Sequence, residues 1–256
     1  MFLEERHEQI LKMLSESGKV LVKELAEKFG VTEDSIRKDL GTLEQEGKLK
    51  RTYGGAVAIR EKIHVMEANK RRTIDVEAKR KIAASAFKLI KPRDMIFLDI
   101  STINIAIAEI MARSEGEYKV VTNMLDIITI LARNPKVDLI CIGGRINKSR
   151  DGFCGGMTYE YVSRLKPDIA FIGAVGVNVK ENSVSTYNID EGITKAKIIQ
   201  VSKSSYIVAQ ARKFSTDGNY NFSTLDSIAG IITDVKPKTD ICETASEYGI
   251  EIIWSE

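Results

Sequence analysis

Residues 20–56 combine two short amphipathic segments with a glycine turn, and this pattern restricts the fold more than any other part of the chain. The first segment predicts a short helix that ends at Gly30, because its apolar residues recur at helical spacing: Val22, Leu25 and Phe29. Thr32 is placed to cap a second helix, whose apolar face consists of Ile36, Leu40 and Leu43. Two helices joined by a short turn that contains glycine form a helix-turn-helix, and its second helix enters the major groove of DNA.

The segment after the second helix is basic and ends in two glycines, which predicts a hairpin, or wing, that lies against phosphate. With the outward face of the second helix it supplies the candidate DNA contacts: Thr32, Ser35, Arg37, Lys38, Arg51, Thr52, Tyr53, Gly54 and Gly55. Helix pairs with a glycine turn also occur in ordinary α-domains, and the glycine wing is what favours DNA binding here. We therefore predict a small α+β winged helix-turn-helix domain over residues 3–58, with the helix-turn-helix at about residues 20–39. A helix predicted at Glu4–Ser17 completes its core.

The distribution of charge is more informative than its total. The whole chain carries a formal net charge of +2, which does not indicate a nucleic-acid partner. Residues 48–82 hold eleven basic and four acidic side chains, a net charge of +7. Such a basic stripe is typical of phosphate binding, although a solvated linker helix is also charged.

Cysteine and histidine are too few and too scattered to predict a metal site. The three cysteines lack CxxC spacing, and only His7 and His64 accompany them, so we expect buried thiols and no metal or other cofactor. The apolar runs are too short to span a membrane, and Glu4 and Glu5 do not fit a signal peptide. We expect a cytoplasmic protein.

From about residue 74 the pattern changes to strands that alternate with helices. Residues 59–73 are charged and weakly periodic, and we interpret them as a linker. Residues 74–256 contain strands with continuous apolar runs, such as Asp94–Asp99 and Tyr118–Thr122, separated by amphipathic helices. This alternation predicts an α/β domain with a parallel sheet covered on both faces.

Polar residues follow the predicted strands, at the edge where open α/β sheets bind ligands. The candidate site residues at these strand ends and on the later helix are Asp99, Ser101, Thr102, Asn123, Gly143, Gly144, Arg145, Glu191, Lys195 and Lys213. Each has an ordinary structural explanation by itself: a helix cap, a tight turn or a surface helix pair. Their convergence at strand ends predicts a site for a small anionic ligand such as a sugar phosphate.

Two sets of motifs resemble the DeoR family of bacterial transcriptional regulators. In the first domain they are Arg37-Lys38-Asp39-Leu40 and Tyr53-Gly54-Gly55-Ala56, where the family typically has Arg-Arg-Asp-Leu and His-Gly-Gly-Ala. In the second they are Val120-Val121-Thr122-Asn123, the block Thr186–Glu191 followed by Lys195, and Lys213-Phe214. The resemblance implies a sensor domain that is similar to ribose phosphate isomerase in fold and is controlled by a sugar phosphate.

Two positions depart from the family pattern. The loop after the first strand of the second domain has Ser101 where the family usually has glycine, so a Cβ lies where the usual phosphate cradle needs close backbone approach. Val175 replaces the aspartate of the family's Gly-Ala-Asp-Gly segment, which removes a carboxylate that an isomerase would use for proton transfer.

The sequence thus favours a DNA-binding transcriptional regulator, a repressor of a carbohydrate operon. Its expected partners are operator DNA, a phosphorylated sugar and further copies of the chain. The alternative is a sugar-phosphate isomerase with a DNA-binding appendage, in which Glu191 is the general base and Lys195 or Lys213 the electrophile. A DNA-architectural protein with a structural second domain is a third hypothesis, which the polar strand ends disfavour.

Overall fold

The chain forms two compact units, Met1–Glu67 and Ala68–Glu256. The computed structural model describes residues 3–17, 19–58 and 68–255. Of the predicted linker, residues 59–67 therefore lie outside the described residues, whereas residues 68–73 form a helix of the second unit. The second unit thus begins at Ala68, before the predicted start at residue 74.

The first unit consists of three helices and a three-stranded antiparallel sheet. Its elements are α1 (Leu3–Ser17), β1 (Lys19–Leu21), α2 (Val22–Phe29), α3 (Glu33–Gln45), β2 (Leu49–Thr52) and β3 (Gly55–Ala58), with strand order β1-β3-β2. Gly30 ends α2 at a φ of 63°, a left-handed conformation that glycine adopts without steric cost. The three helices and the wing bury one shared core, which includes Ile10, Leu25, Ile36 and Leu49.

Strand β1 completes the wing sheet and explains one of its two glycines. Lys19, Val20 and Leu21 pair with Val57, Ala56 and Gly55. A Cβ at Gly55 would collide with the backbone of Val20, so only glycine permits this pairing. Gly54 has a φ of 84° and forms the turn itself.

The second unit begins with helices and continues as alternating strands and helices. Its first half contains α4 (Ala68–Thr73), α5 (Val76–Phe87), β4 (Met95–Leu98), α6 (Thr102–Arg113), β5 (Tyr118–Thr122), α7 (Leu125–Leu131), β6 (Val137–Cys141), β7 (Arg145–Ile146) and β8 (Phe153–Cys154). The second half contains α8 (Gly156–Ser163), β9 (Ile169–Gly173), β10 (Gly176–Asn178), β11 (Ser183–Thr186), α9 (Ile189–Val201), β12 (Ser204–Val208), β13 (Tyr220–Ser223), β14 (Gly230–Thr233), α10 (Thr239–Glu247) and β15 (Glu251–Trp254). Short 3-10 helices occupy Ala211–Ser215 and Leu225–Ser227.

Seven of these strands form one parallel sheet, as the sequence predicts, in the order β15-β14-β12-β9-β4-β5-β6. Its two faces are buried in separate cores. Ile96 and Leu98 of β4 pack with α5, α6 and α7, whereas Phe97 packs with α9 and α10. This alternation follows from the two-residue period of a strand, and it explains why β4 is apolar throughout.

The order of the strands reverses between β4 and β9. From β4 the chain proceeds outward through β5 and β6, then returns to place β9 on the other side of β4 and continues through β12, β14 and β15. The loops that follow β4 and β9 therefore leave in opposite directions and open a crevice at their carboxyl ends. Such a topological switch point is where open α/β sheets bind ligands.

Several elements differ from the sequence expectation. The sequence predicts a strand over Ser227–Ile232, but the strand begins only at Gly230, because a 3-10 helix occupies Leu225–Ser227. Strands β10, β11 and β13 form a small antiparallel sheet, which the sequence does not predict because these segments are short and polar.

Among the described residues, no helix is long and apolar enough to cross a membrane, and no group of His, Cys, Asp and Glu could hold a metal ion.

Candidate DNA interface and effector site

The N-terminus of α3 has the capping and exposure that the sequence predicts for a recognition helix. The backbone N–H of Ser35 donates to Thr32 Oγ1 at 3.3 Å, and Ile36 and Leu40 are fully buried. Arg37 and Lys38 are exposed on the opposite face. The helix therefore presents its basic residues to solvent along the part that reaches base edges in a helix-turn-helix complex.

Arg37 is paired with two acidic residues of its own helix. Its Nη1 lies 2.7 Å from Asp34 Oδ1, and its Nη2 lies 2.5 Å from Glu33 Oε2. These groups are solvent-exposed, so the pairs contribute little stability. They do neutralise the guanidinium in the free chain, and DNA contacts by Arg37 must compete with them.

Asp39 of the same helix points inward instead. Its side chain is buried and accepts hydrogen bonds from Arg6 of α1, at 2.6 Å from Nε and 3.1 Å from Nη2. This pair was not predicted, although Asp39 lies three residues after Ile36 and so shares its inward face. The contact fixes the recognition helix against α1.

The wing exposes the residues that the sequence predicts at its tip. Arg51, Thr52 and Tyr53 are exposed, and the backbone N–H of Arg51 donates to Glu44 Oε1 at 2.8 Å. This bond ties the start of the wing to the last turn of α3. The recognition helix and the wing are thereby held as one surface within the first unit.

At the switch point of the second unit, Asp99 and Lys195 form a buried ion pair. Asp99 directly follows β4, and Lys195 projects from α9; their exposed fractions are 1% and 3%. Asp99 Oδ2 also accepts the backbone N–H of Gly173, at the end of β9, at 3.2 Å. Burial raises the pKa of the Asp99 carboxyl, and the Lys195 ammonium opposes that rise. Two predicted site residues are thus in contact where the topology favours a ligand.

Glu191 lies one turn before Lys195 on α9 and is also buried. Asn147 Nδ2 donates to Glu191 Oε1 and to Asp151 Oδ1, at 2.7 Å in each case. Burial raises the pKa of the Glu191 carboxyl, and the nearby Lys195 ammonium opposes that rise. Asn147 and Asp151 were not predicted, because no local pattern in the loop distinguishes them from ordinary turn residues.

Asn123 contributes an acceptor at the end of β5. Its Nδ2 donates to the carbonyl of Phe153 at 2.9 Å, and the residue is 1% exposed. Its buried Oδ1 has no hydrogen-bond partner among the described residues. An unmatched buried acceptor costs free energy unless another donor reaches it, and a ligand hydroxyl is such a donor.

The loop after β4 divides its two hydroxyl residues between different surroundings. Ser101 Oγ accepts the N–H of Ile103 at 3.2 Å and caps α6. A Cβ at Gly173 would lie 2.7 Å from Ser101 Cβ, so the loop packs closely against the end of β9. Thr102 instead lines a groove between helices, together with Arg72, Val76, Lys79, Arg80, Ile105, Ala106, Glu109, Asp126, Thr129 and Ile130.

The remaining predicted residues lie at the margin of this site. The carbonyl of Gly143 accepts the hydroxyl of Thr158 at 3.0 Å, and Gly144 has a φ of 153° with no room for a Cβ beside Thr158. Arg145 pairs with Asp190, the neighbour of Glu191. Lys213 is half-buried in the 3-10 helix that follows β12, at the same edge of the sheet.

The two units define a class of protein: a winged helix-turn-helix joined to an α/β domain with a polar crevice at its switch point. Comparison with known families agrees with both halves. The DeoR-like helix-turn-helix domain matches residues 6–62, and the DeoR C-terminal sensor domain matches residues 74–235. The chain belongs to the DeoR family of transcriptional regulators, as its motifs predict.

Individual relatives cover almost the whole chain. It is 28% identical to the putative aga operon transcriptional repressor of Escherichia coli O157:H7, over 97% of this chain and 93% of that protein. It is 30% identical to the lactose phosphotransferase system repressor of Lactococcus lactis subsp. lactis, over 95% of each. Among solved structures, ribose 5-phosphate isomerase A of Methanocaldococcus jannaschii matches at 13% identity with a TM-score of 0.41, over 54% of each chain.

Proposed function

We propose that this protein is a repressor of carbohydrate-metabolism genes, acting in the cytoplasm, whose second unit binds a phosphorylated sugar and thereby changes operator affinity. The relatives described above are named as repressors of an aga operon and of a lactose phosphotransferase system. The observation that supports an effector site is the contact of Asp99 with Lys195 at the switch point, beside an open acceptor on Asn123.

The chemistry of this crevice suits a ligand with both hydroxyls and an anionic group. Asn123 and Glu191 offer acceptors for hydroxyls. A phosphate would compete with Asp99 for the Lys195 ammonium, and Lys213 lies at the same edge of the sheet. A ligand that replaces the Asp99–Lys195 ion pair must change the surroundings of both side chains. It therefore binds two arrangements of the unit with different affinity, as any effector must.

DNA binding is proposed to require at least two copies of the chain. A single helix-turn-helix contacts only a short half-site of DNA. Two copies related by a two-fold axis bind two half-sites at a fixed spacing, which raises the affinity. In the proposed complex Arg37 contacts a base and Arg51 with the Tyr53-Gly54-Gly55 tip contacts the DNA backbone.

An isomerase function is less well supported by the same geometry. Glu191, the general base in that hypothesis, is bound to Asn147, which also holds Asp151. Val175 is 7% exposed and apolar where the family has a carboxylate. Position 175 therefore lacks the carboxylate that an isomerase would use for proton transfer.

A binding screen tests the proposal. The phosphate panel consists of glucose 6-phosphate, fructose 1-phosphate, tagatose 6-phosphate and glycerol 3-phosphate, each matched with its unphosphorylated form. We expect at least one phosphorylated member to raise the melting temperature and to change affinity for the chain's own promoter DNA, with no product detected by NMR. Turnover of a panel member would support the isomerase, and no response to any sugar phosphate would contradict the effector assignment.

A further inference from the structure

Helix α4 is held to the second unit by charged contacts rather than by a large apolar face. Arg71 Nη2 lies 3.8 Å from Asp151 Oδ2, and Arg72 Nη2 lies 2.6 Å from Asp126 Oδ2. Lys79 of α5 donates to the carbonyl of Arg71 and, at 2.7 Å, to that of Ile74. A helix of six residues is marginal by itself, so its position depends on these contacts.

The carboxylate that holds Arg71 belongs to the buried network beside the effector site. Asp151 is 4% exposed and shares the amide nitrogen of Asn147 with Glu191. Asn147 Oδ1 in turn accepts the backbone N–H of Asp151 at 3.1 Å. Because one amide serves both carboxylates, a displacement of Glu191 changes the hydrogen bonding of Asp151. A continuous series of contacts therefore runs from Glu191 to Arg71.

A second attachment holds the other end of α4. Asp75, between α4 and α5, has a φ of 52°, a conformation that costs free energy in residues other than glycine. Its Oδ2 accepts from Gln210 Nε2 at 3.1 Å and lies 3.4 Å from Arg212 Nη2. Gln210 and Arg212 belong to the loop after β12 that also carries Lys213. The loop that contains Asp151 and the loop after β12 thus both hold α4 in place.

We propose that the series Glu191–Asn147–Asp151–Arg71, whose first three members are buried, couples the effector site to α4, through which the chain enters the second unit from the DNA-binding unit. This inference rests on the proposed effector site. A ligand that binds Glu191 or displaces Lys195 withdraws Glu191 from Asn147, and Asp151 then changes its contacts with Asn147 and Arg71. Arg71 Nε is buried without a hydrogen-bond partner among the described residues, so a change at Asp151 leaves this guanidinium without compensation. In this proposal the ligand acts by changing the position of α4.

Tryptic cleavage within α4 tests the series in the ligand-free chain. Cleavage after Lys70, Arg71 or Arg72 requires local opening of the helix. We expect Asn147→Ala to raise the rate of cleavage at these sites by roughly tenfold or more, while cleavage after Lys81, within α5, stays slow. Lys203→Ala, which removes an exposed ion pair with Asp168 elsewhere in the unit, is the matched control and should not change it. An unchanged cleavage rate within α4 in Asn147→Ala would overturn the proposal.

The reverse direction offers an independent test, should Asn147→Ala unfold. Coupling is reciprocal, so Arg71→Met should accelerate amide exchange at Asp151 and Gly152, whose N–H groups donate to Asn147. No change there, in a folded Arg71→Met chain, would also overturn it.

The phosphate panel then separates this inference from the proposed function. Arg71→Met should retain the thermal response to any active panel member, but the ratio of promoter affinities with and without that member should fall toward one. A ratio equal to that of the unchanged chain contradicts the coupling and leaves the effector site intact. If no panel member binds, the effector assignment fails, and the cleavage and exchange measurements still decide whether the series reaches α4.

Discussion

Asp39 of the recognition helix accepts two hydrogen bonds from the guanidinium of Arg6, which comes from the helix at the start of the chain. A carboxylate with an exposed fraction of 5% is thereby compensated within the DNA-binding unit. Two N–H groups of one guanidinium thus join α1 to α3, and such bidentate hydrogen bonds between charged groups are among the strong ones in proteins.

Loss of either partner should destabilise the first unit. Arg6→Ala removes both guanidinium hydrogen bonds from the buried Asp39 carboxylate and leaves it only His7, whose Nε2 lies 3.4 Å from Asp39 Oδ1. We expect the unfolding free energy of this unit to fall by about 3 kcal/mol. Urea denaturation followed by circular dichroism measures it. Lys48→Ala, which removes an exposed pair with Glu46, is the control and should cost less than about 1 kcal/mol. Equal effects of the two variants would show that the buried pair has no special role.

The first unit should fold when separated from the second. Its core consists only of residues from α1 to β3, so a fragment that ends at Arg60 retains every core contact. The fragment should show a cooperative thermal transition but bind promoter DNA more weakly than the full chain, because paired half-sites no longer add. A fragment without a transition would mean that the second unit contributes to this core.

Arg37 and Arg51 should affect DNA binding in different ways. Arg37→Ala should cost ~1–3 kcal/mol and relax preference at one base position, since its planar fork matches guanine O6 and N7. Arg51→Ala should weaken all sequences about equally and reduce the salt slope by about one. Promoter titrations at several salt concentrations, with single-base variants, distinguish the two. A uniform loss in Arg37→Ala would assign this residue to the DNA backbone instead.

Two substitutions separate ligand contact from structural support in the second unit. Lys213→Ala should weaken an active member of the phosphate panel by ~1.5–3 kcal/mol and leave promoter affinity unchanged. Lys195→Met should instead destabilise the unit by about 3–5 kcal/mol, because Asp99 stays buried without its cation. Calorimetric titration and thermal unfolding provide the two readouts, with Thr102→Ala as a control, since Thr102 lines the groove between helices. Unchanged ligand affinity in Lys213→Ala would refute this placement of the phosphate.

Lys79 predicts a pH dependence of stability. Burial lowers the pKa of its ammonium to about 8. Between that value and the ordinary lysine pKa the folded chain binds fewer protons than the unfolded chain, so stability rises with pH across that window, by up to about 1.4 kcal/mol for each unit of pH. Lys79→Met should remove this rise, whereas Lys81→Met, an exposed lysine on the same helix, should keep it. Melting temperatures at pH 7 to 10 measure the difference.

Local signals account for what could be predicted from the sequence. Gly30 ends a helix and Thr32 begins the next, and both act within a few residues. The continuous apolar runs of the second unit are also local signals, and they predict strands of a parallel sheet that is buried on both faces. Strand β1 has only three residues and forms by pairing with Gly55–Ala58, so no periodicity marks it.

The network around Asn147 could not be predicted because its partners are distant in the sequence. Asn147 and Glu191 are separated by 44 positions and meet only after the sheet has formed. Asp99 and Lys195 are separated by 96 positions, and although both were predicted as site residues, their mutual neutralisation was not. Sequence indicates which polar groups reach the sheet edge, whereas packing decides which of them pair.

The acidic residues beside Arg37 have a consequence for how quickly such a regulator finds its site on a chromosome. Any DNA duplex attracts a bare guanidinium through its phosphates, and a regulator with strong general attraction spends most of its time on irrelevant sequence. If Arg37 contacts guanine as proposed, Glu33 and Asp34 offset that attraction until the base presents both of its acceptors to the fork. Their replacement by Gln and Asn would tighten binding to random DNA and lengthen the search.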